Sequence, residues 1–336
     1  MTEITTTWDE KVIVKTKWCH FLQSSEWASV KSKTVWRAKQ HLIKANYQYI
    51  PCIVYSRAWP VLGRIHYLPK LATLSSDGVS NFTAGLKEAV KTGIAIRLEI
   101  DQPYSEALHN SLLAANWLPV SAIQYEETVL VNLDRPIEEM LLSFKKRARR
   151  EINIAERAGV TVKKVEATPE NMDFFYNMLE ETSKRGNFTT RSHKFSTQYW
   201  NLLVERGIGQ LYFAKHQGDV LCAAYVVKIG SRGFYKDGAS TRLKPNLSAS
   251  RYMQWAIMQD LQKAGCKIYD LCGIPAAKHM DAGNRGYYLF KTAFGDATRL
   301  QGGYILPLSQ KRYKLWARLE PNLLKLYIVT RKDLWY

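Results

Sequence analysis

One order of elements occurs twice along this chain, and this repetition limits the possible folds more than any other feature. In each copy the pattern predicts a helix, a turn at a glycine, a buried strand, a second helix and a final strand. Gly93 and Gly265 lie about 170 residues apart, and so do Val131 and Leu306 in the two final strands. A period of this length indicates a duplicated domain, because the repeats of a solenoid are far shorter.

The repeated unit, together with a hairpin predicted over residues 48–67, resembles the GNAT acyltransferase core. We therefore expect the α/β (α+β) class, with two tandem GNAT-like (acyl-CoA N-acyltransferase-like) domains, each a mixed central sheet flanked by helices. We expect domain 1 over residues 1–140, completed by residues 306–336, and domain 2 over residues 141–305. The predicted segments of the first copy are residues 81–91, 94–100, 105–115 and 128–133, and those of the second are residues 249–263, 267–271, a short helix at Lys291 and 303–308.

The loops that precede the first helix of each copy disfavour a coenzyme A donor. In coenzyme A users this loop is glycine-rich, so that backbone amides at the helix N-terminus hold the pyrophosphate. Here the first loop, Ser75–Gly78, places an aspartate where a phosphate would lie, and the second, Lys244–Ser250, contains no glycine.

Composition adds a formal net charge of +18. Such an excess attracts polyanions, namely nucleic acid, an anionic membrane surface or nucleotide-linked substrates. No apolar run reaches the length of a membrane span and the N-terminus has no signal-peptide pattern, so we expect a cytoplasmic protein. The five cysteines form no CxxC pair and the seven histidines no metal-binding spacing, which argues against a metal site.

A basic amphipathic helix is predicted between the two copies, ending at Gly159. Phe144, Ala148, Ile152 and Ala155 recur at steps of three and four residues and form its apolar face. The cations that crowd its start are Lys145, Lys146, Arg147, Arg149 and Arg150. A solvated basic face is the alternative, but clustered charges repel one another, and an anionic partner would relieve that repulsion. The pattern favours phosphate binding.

Lys291 lies in an aromatic run, Phe290–Gly295, that follows the buried strand and turn Tyr269–Ile274. Lysine is rarely buried without a partner. The alternative is a surface lysine whose stem covers the aromatic rings. The matching helix of the first copy, Ser105–Ala115, has no lysine in such a setting, and this asymmetry favours chemistry in the second copy.

Five motifs occur in order along the second half of the chain. They are Phe188 with Arg191, the run Phe234–Ser240, Pro245 with Gln254 and Trp255, Tyr269–Ile274, and Phe290–Gly295. Together they resemble the FemABX family of peptidoglycan interpeptide-bridge aminoacyltransferases. Without a long heptad stretch, the chain looks like the compact FemX type, which has no coiled-coil arm. It departs from the family at Asp237, where the family often has a tyrosine.

The resemblance implies transfer of an amino acid from aminoacyl-tRNA to the side-chain amine of a peptidoglycan precursor stem peptide. The donor is then a co-substrate, and no cofactor is implied. The acceptor is a UDP-linked or a lipid-linked precursor. We expect a monomer without a transmembrane segment, and peripheral contact with the inner face of the membrane stays open.

The resemblance also suggests roles for individual residues. Lys291 would stabilise the reaction's oxyanion or hold the terminal phosphate of the tRNA. Asp237 would accept the amine proton or, as we favour, brace a turn. The substrate-binding candidates are Lys31, Arg191, Tyr235, Phe290 and Glu99, of which Lys31 and Arg191 match positions for acceptor phosphates or carboxylate. The tRNA-binding candidates are Lys145, Lys146, Arg147, Arg149 and Arg150.

Three other functions stay open at this point. One is a GNAT-type N-acyltransferase that uses a small acyl-CoA. Another is a non-catalytic RNA-binding protein that uses the basic helix. The third is aminoacylation of a lipid or a protein N-terminus with the same donor.

Overall fold

The computed structural model describes residues 19–59, 61–186, 188–276 and 280–331, and for residues 282 and 324–331 it describes the backbone only. The chain forms two compact units. The first comprises Met1–Glu126 and Arg299–Tyr336, and the second comprises Glu127–Thr298. Within the described part, no helix combines the length and the apolar character that a membrane crossing requires.

In chain order, the helices and strands are α1 (Ser25–Ser32), β1 (Arg37–Ala45), β2 (Gln48–Trp59), β3 (Gly63–Leu71), α2 (Val79–Val90), β4 (Ala95–Pro103), α3 (Glu106–Ala114), β5 (Leu118–Val120), β6 (Glu127–Asn132), α4 (Ile137–Ser143), α5 (Lys146–Arg157), β7 (Thr161–Val165), α6 (Pro169–Gly186), α7 (His193–Glu205), β8 (Gly209–His216), β9 (Asp219–Ile229), β10 (Arg232–Ser240), α8 (Ala249–Lys263), β11 (Ile268–Asp270), α9 (Ala282–Lys291), β12 (Ala297–Pro307) and α10 (Gln310–Arg331).

The first unit contains a mixed sheet in the order β1-β2-β3-β4-β12, with β5 paired to β12. Only the β3–β4 pair is parallel among these neighbours. Strand β4 is buried along nearly its whole length, as expected for a central strand with both faces covered. Helices α2 and α3 place Phe82, Leu86, Leu108 and Leu112 in the core of this unit.

The second unit contains a mixed sheet in the order β6-β11-β10-β9-β8-β7. Strands β10 and β11 run parallel, and the other neighbours are antiparallel. Helix α5 buries Ala148, Ile152 and Ala155, which is the apolar face that the three- and four-residue spacing predicts. Helix α8 buries Met253, Ile257 and Met258 in the same core.

The repeated helices and inner strands form as predicted, but the final strand of each copy belongs to the other unit. Strand β6 follows the first copy and pairs with β11 of the second unit. Strand β12 follows the second copy and pairs with β4 of the first unit. The compact units therefore divide at residues 126/127 and 298/299, whereas the sequence-based limits lie at 140/141 and 305/306. That independently folding domains are bounded at 140/141 and 305/306 stays a prediction.

Candidate functional site

The ammonium of Lys291 lies in a cradle at the end of α9. The side chain is buried, with 2% of its surface exposed. Its Nζ donates to the carbonyl oxygens of Cys272 at 3.3 Å and Gly273 at 3.0 Å, and to the hydroxyl of Tyr287. The ring centroids of Tyr287 and Tyr235 lie 4.2 Å and 5.5 Å from Nζ. The lysine is thus set among aromatic rings as predicted, but these rings are tyrosines from β10 and α9.

The carbonyl groups of the cradle are held in place by Asp270, the last residue of β11. Its Oδ1 accepts a hydrogen bond from the Cys272 amide at 2.7 Å, and its Oδ2 lies 2.5 Å from Nη2 of Arg232. The Thr128 hydroxyl also donates to this carboxylate. Cys272 has a φ of 59°, a left-handed conformation that is uncommon for a residue other than glycine. The Asp270 bond thus stabilises the turn that directs two carbonyl oxygens at Lys291.

Lys291 therefore carries a positive charge that is solvated by dipoles. Among the described residues its hydrogen-bonding partners are two carbonyls and a phenol, none of which is a carboxylate. Fixed dipoles stabilise an ammonium without cancelling its charge, unlike an ion pair. A nearby reacting group that becomes negative would be attracted to this charge.

Tyr235 lies in β10 beside this ammonium, and its ring passes over Gly238 of the same strand. A Cβ at position 238 would collide with the Tyr235 hydroxyl and ring, so a side chain there would displace the tyrosine. Burial, followed by the charges of neighbouring thiol, phenol and carboxyl groups, raises the pKa of Tyr235. The phenol therefore stays protonated at neutral pH and can donate a hydrogen bond.

Asp237 lies in the same strand, and the expectation that it braces a turn is wrong. It sits inside β10, directly after the irregularity in the β9–β10 pairing between Tyr235 and Asp237. Its carboxylate accepts hydrogen bonds from the Tyr199 hydroxyl and from Trp200 Nε1, the latter at 3.0 Å, and it pairs with Lys236 Nζ at 3.2 Å. The residue thus links β10 to α7.

These partners also set the protonation state of Asp237. Burial raises the pKa of its carboxyl, but the charge of Lys236 and the hydrogen bonds from Tyr199 and Trp200 outweigh burial, so this pKa lies below its ordinary value of 3.8. Burial and the Asp237 charge in turn raise the pKa of Tyr199. An ionised carboxylate whose lone pairs are already engaged is a weak proton acceptor.

Arg191 lies in the loop before α7. Its guanidinium carbon is 5.0 Å from the centroid of the Phe195 ring, and its carbonyl accepts a hydrogen bond from Tyr176 at 3.0 Å. Its charge opposes the rise in the pKa of Tyr199, so it lies in the electrostatic range of the phenol that contacts Asp237. Arg191 and Asp237 thus share Tyr199 as a neighbour.

The ring of Phe290 does not take part in the cradle around Lys291 and packs against other residues. Its ring lies 5.4 Å from the guanidinium of Arg251 and 5.9 Å from the ring of Phe294. Arg251 pairs with Glu151 of α5 at 2.6 Å, and Glu151 also pairs with Arg147 at 2.7 Å. Phe290 therefore packs against Arg251 of α8, which an ion network joins to the basic helix, and its role in substrate binding stays a prediction.

The cations of the basic helix differ in their surroundings. Lys145 precedes α5, and the other four lie within its first two turns. Arg149 is half-buried, whereas Lys145, Lys146, Arg147 and Arg150 are exposed. Hydrogen bonding and the charge of Glu151 raise the pKa of Arg147. The exposed cations can reach a polyanion in solvent.

Lys31 and Glu99 belong to the first unit. Lys31, in the last turn of α1, has 4% of its surface exposed, and its Nζ lies 5.6 Å from the Trp36 ring centroid. Glu99 lies within β4 and accepts hydrogen bonds from the Tyr67 hydroxyl at 2.9 Å and the Ile123 amide at 2.6 Å. Burial raises the pKa of the Glu99 carboxyl, although Lys70 and these bonds oppose the shift. Both carboxylate oxygens have partners, as in a structural role.

Reasoning from the sequence alone missed the residues that hold Lys291 in place. Asp270 stands in an apolar run, and a carboxylate there requires a partner, which was an available signal. Its partner Arg232 comes from the parallel neighbour β10, which no local pattern reveals. Tyr287, which contacts Lys291 from one helical turn before it, was within reach of the four-residue spacing.

Comparison with known proteins places this chain beside relatives of similar sequence and fold. The model of the acetyltransferase (GNAT) domain family matches residues 143–291. A lipid II:glycine glycyltransferase of Staphylococcus aureus is 20% identical over 402 aligned residues, spanning 93% of this chain and 94% of that protein.

Two solved structures share the fold. A crystal structure of FemX has a TM-score of 0.82 and 18% identity, and the match covers 93% of this chain and 98% of that one. L-PGS from Bacillus licheniformis has a TM-score of 0.56 and 11% identity, with 96% and 98% covered. The fold of this chain is therefore a tandem GNAT-like fold.

Proposed function

We propose that this chain, which resembles the FemABX family of peptidoglycan interpeptide-bridge aminoacyltransferases, transfers an amino acid from aminoacyl-tRNA to the side-chain amine of a peptidoglycan precursor stem peptide. The observation that carries the proposal is the buried Lys291 ammonium, whose charge is not cancelled by a carboxylate among its described partners.

The proposed reaction is the aminolysis of an ester. The neutral amine of the acceptor attacks the acyl carbonyl and forms a tetrahedral intermediate whose oxygen is negative. The ester C–O bond then breaks, the ribose hydroxyl leaves with a proton, and the attacking nitrogen loses a proton to solvent. An ester is already activated, so the reaction needs positioned substrates and a stabilised oxyanion, and no protein nucleophile.

Lys291 would stabilise that oxyanion. The Asp270–Cys272 turn would keep its ammonium in place, and Tyr235 would line the acceptor channel beside it. We assign Asp237 to positioning, because its carboxylate is engaged by Tyr199, Trp200 and Lys236. Lys31 and Arg191 would bind acceptor phosphates or carboxylate, and Glu99 would support the β4 region.

The donor would be bound through its backbone by α5. Lys145, Lys146 and Arg150 are exposed cations on one short segment, and such contacts give affinity without sequence discrimination. The net charge of +18 favours association with both polyanionic substrates. We place this reaction in the cytoplasm, with a UDP-linked or lipid-linked acceptor.

One experiment tests the proposal directly. The purified protein is incubated with a mixed pool of charged tRNAs and either a UDP-linked or a lipid-linked precursor, and the precursor is analysed by mass spectrometry. The expected result is a mass increase of one amino acid residue, located on the stem-peptide side chain. Binding of uncharged RNA with no transfer to either acceptor would instead support an RNA-binding protein.

A GNAT-type acyl-CoA transferase is the second candidate. The residues before α8, Lys244 and Ser248, have positive φ values of 46° and 52°, and no side chain caps the start of this helix. The loop thus adopts left-handed backbone that glycines normally supply, and helix-start amides can bind an anion. Saturable binding of acetyl-CoA by calorimetry, with transfer to an amine, would favour this candidate.

A further inference from the structure

One surface of the first unit carries cations and exposed aliphatic side chains that the proposed reaction does not use. We name it the α10 surface. Its members come from the β2–β3 turn, the start of β3, the end of α2 and the first half of α10, and they are Val61, Arg64, Lys87, Lys91, Lys311, Arg312, Lys314, Leu315, Arg318 and Leu319.

A cavity of about 430 Å³ joins two of these elements. It is lined by Lys87, Lys91 and Arg312, together with Thr92 and Ser309, and none of its described lining residues is acidic. Among the described residues these three cations make no ion pair within 4 Å. Three cations beside two hydroxyl groups provide the donors that a phosphate group accepts.

The first half of α10 has an amphipathic arrangement. Trp316 faces inward, is fully buried and packs 4.8 Å from the ring of Trp59. On the outer side, Leu315 is 47% exposed and Leu319 is 38% exposed, in line with Arg312 at steps of three and four residues. The cations Lys311, Lys314 and Arg318 form the neighbouring stripe at the same spacing. The leucines therefore lie beside a stripe of cations and in line with Arg312.

The β2–β3 turn adds a third exposed aliphatic residue near this helix. Val61 is fully exposed, with a φ of 65°, which is unfavourable for a β-branched residue. Two positions later, an added Cβ on Gly63 would lie 3.4 Å from Nη1 of Arg312, so the turn adjoins the start of α10. An exposed valine held in a strained turn gains free energy if it enters an apolar phase.

We propose that the α10 surface docks this protein on a bilayer that contains anionic phospholipid. The cavity cations bind lipid phosphates, and Val61, Leu315 and Leu319 enter the boundary between headgroups and acyl chains. RNA fits less well, because single strands bind basic grooves through aromatic stacking, whereas the side chains between these cations are aliphatic. Docking does not depend on the proposed function. If the acceptor is lipid-linked, however, it is anchored in the same bilayer to which the protein docks.

The test is co-sedimentation of the full chain with vesicles of phosphatidylglycerol and phosphatidylcholine in equal parts, compared with pure phosphatidylcholine. Wild type is expected to bind the anionic vesicles. The variant Lys87→Gln, Lys91→Gln, Arg312→Gln is expected to bind about 100-fold more weakly, since each cation near the surface contributes about fivefold. The matched control changes three exposed lysines elsewhere, Lys39, Lys163 and Lys263, to glutamine, and is expected to bind within about threefold of wild type.

A second variant separates insertion from charge attraction. Leu315→Ser with Leu319→Ser keeps every cation, and we expect roughly tenfold weaker binding to the anionic vesicles. Binding equal to wild type in this variant, an equal loss in the lysine control, or no vesicle binding by wild type would each overturn the proposal. Transfer to a UDP-linked and to a lipid-linked acceptor is measured in parallel. The absence of transfer to both acceptors, alongside intact vesicle binding, contradicts the proposed function and leaves docking supported.

Discussion

Lys291 is the residue on which the proposed chemistry depends most, because its charge is buried yet not neutralised. Replacing it with methionine keeps much of the side-chain volume and removes the charge. We expect Lys291→Met to lower kcat by about 10²- to 10³-fold with a smaller change in KM, since an oxyanion partner acts in the transition state. Single-turnover transfer from charged tRNA measures this effect.

A matched control for that substitution is Lys263→Met, which removes an exposed charge at the end of α8 in the same unit. Circular dichroism and thermal unfolding verify that both variants are folded. Turnover of folded Lys291→Met at the wild-type rate would exclude this lysine from the chemistry.

Asp237 leads to a pH prediction whose sign follows from its lowered pKa. The unfolded carboxyl titrates near 3.8 and the folded one below that value, so Asp237 stabilises the fold above about pH 4. This contribution is lost as the pH falls through the folded pKa. We expect wild type to lose more stability on acidification than Asp237→Asn, as measured by urea unfolding at a series of pH values.

Parallel stability profiles of wild type and Asp237→Asn would contradict that prediction. The same variant also separates positioning from proton transfer. As a positioning residue, Asp237 can be replaced by asparagine with partial retention of kcat and an unchanged pH–rate profile. The loss of one ionisation from that profile would instead identify it as the proton acceptor.

Single residues also mark the limit of prediction from sequence. A lysine in an aromatic run was enough to single out Lys291. Its cradle was not predictable, because Cys272 and Gly273 contribute backbone carbonyls that no residue type reveals. Asp237 was misread because glycine after aspartate is typical of a turn, whereas here Gly238 makes room for the Tyr235 ring inside a strand.

Helix α5 has two faces, a buried apolar one and an exposed basic one. Glu151 engages Arg147 and Arg251, so the cations best placed for a polyanion are Lys145, Lys146 and Arg150. Changing these three to glutamine should weaken tRNA binding and reduce the slope of log affinity against log salt by about two to three. Filter binding across a salt series gives the slope.

The control for α5 removes three charges elsewhere, at Lys39, Lys163 and Lys263, and is expected to leave the slope nearly unchanged. If the α5 variant keeps the wild-type slope, the basic face is only solvated. Helices of this kind can be predicted from sequence, since apolar residues at three- and four-residue steps define their buried face. The strands that pair with β6 and β12 could not be predicted, because pairing between distant strands leaves no local signal in the sequence.

At the scale of the whole molecule, the first unit is discontinuous and depends on the end of the chain. Strand β12 pairs with both β4 and β5, and Tyr304, Leu306 and Trp316 are buried in this unit. A chain truncated after Thr298 should therefore lose the structure of the first unit. Hydrogen exchange should show lost protection in β4, while β8 and β9 of the second unit stay protected.

Full protection of β4 in the truncated chain would show that the first unit is stable without β12 and α10. A control truncation after Arg331 keeps both elements and should exchange like the full chain.

The same discontinuity has a consequence for synthesis on the ribosome. All strands of the second unit lie between β4 and the residues of β12 that complete the first sheet. At ordinary elongation rates, the roughly 200 residues between them take about 10 to 40 s to translate. The second unit can therefore fold first, which reverses the usual N-terminal order. During this time the edge of β4 that pairs with β12 stays unpaired and its apolar side chains stay exposed. Nascent chains of this protein should thus need chaperone protection mainly in their N-terminal third.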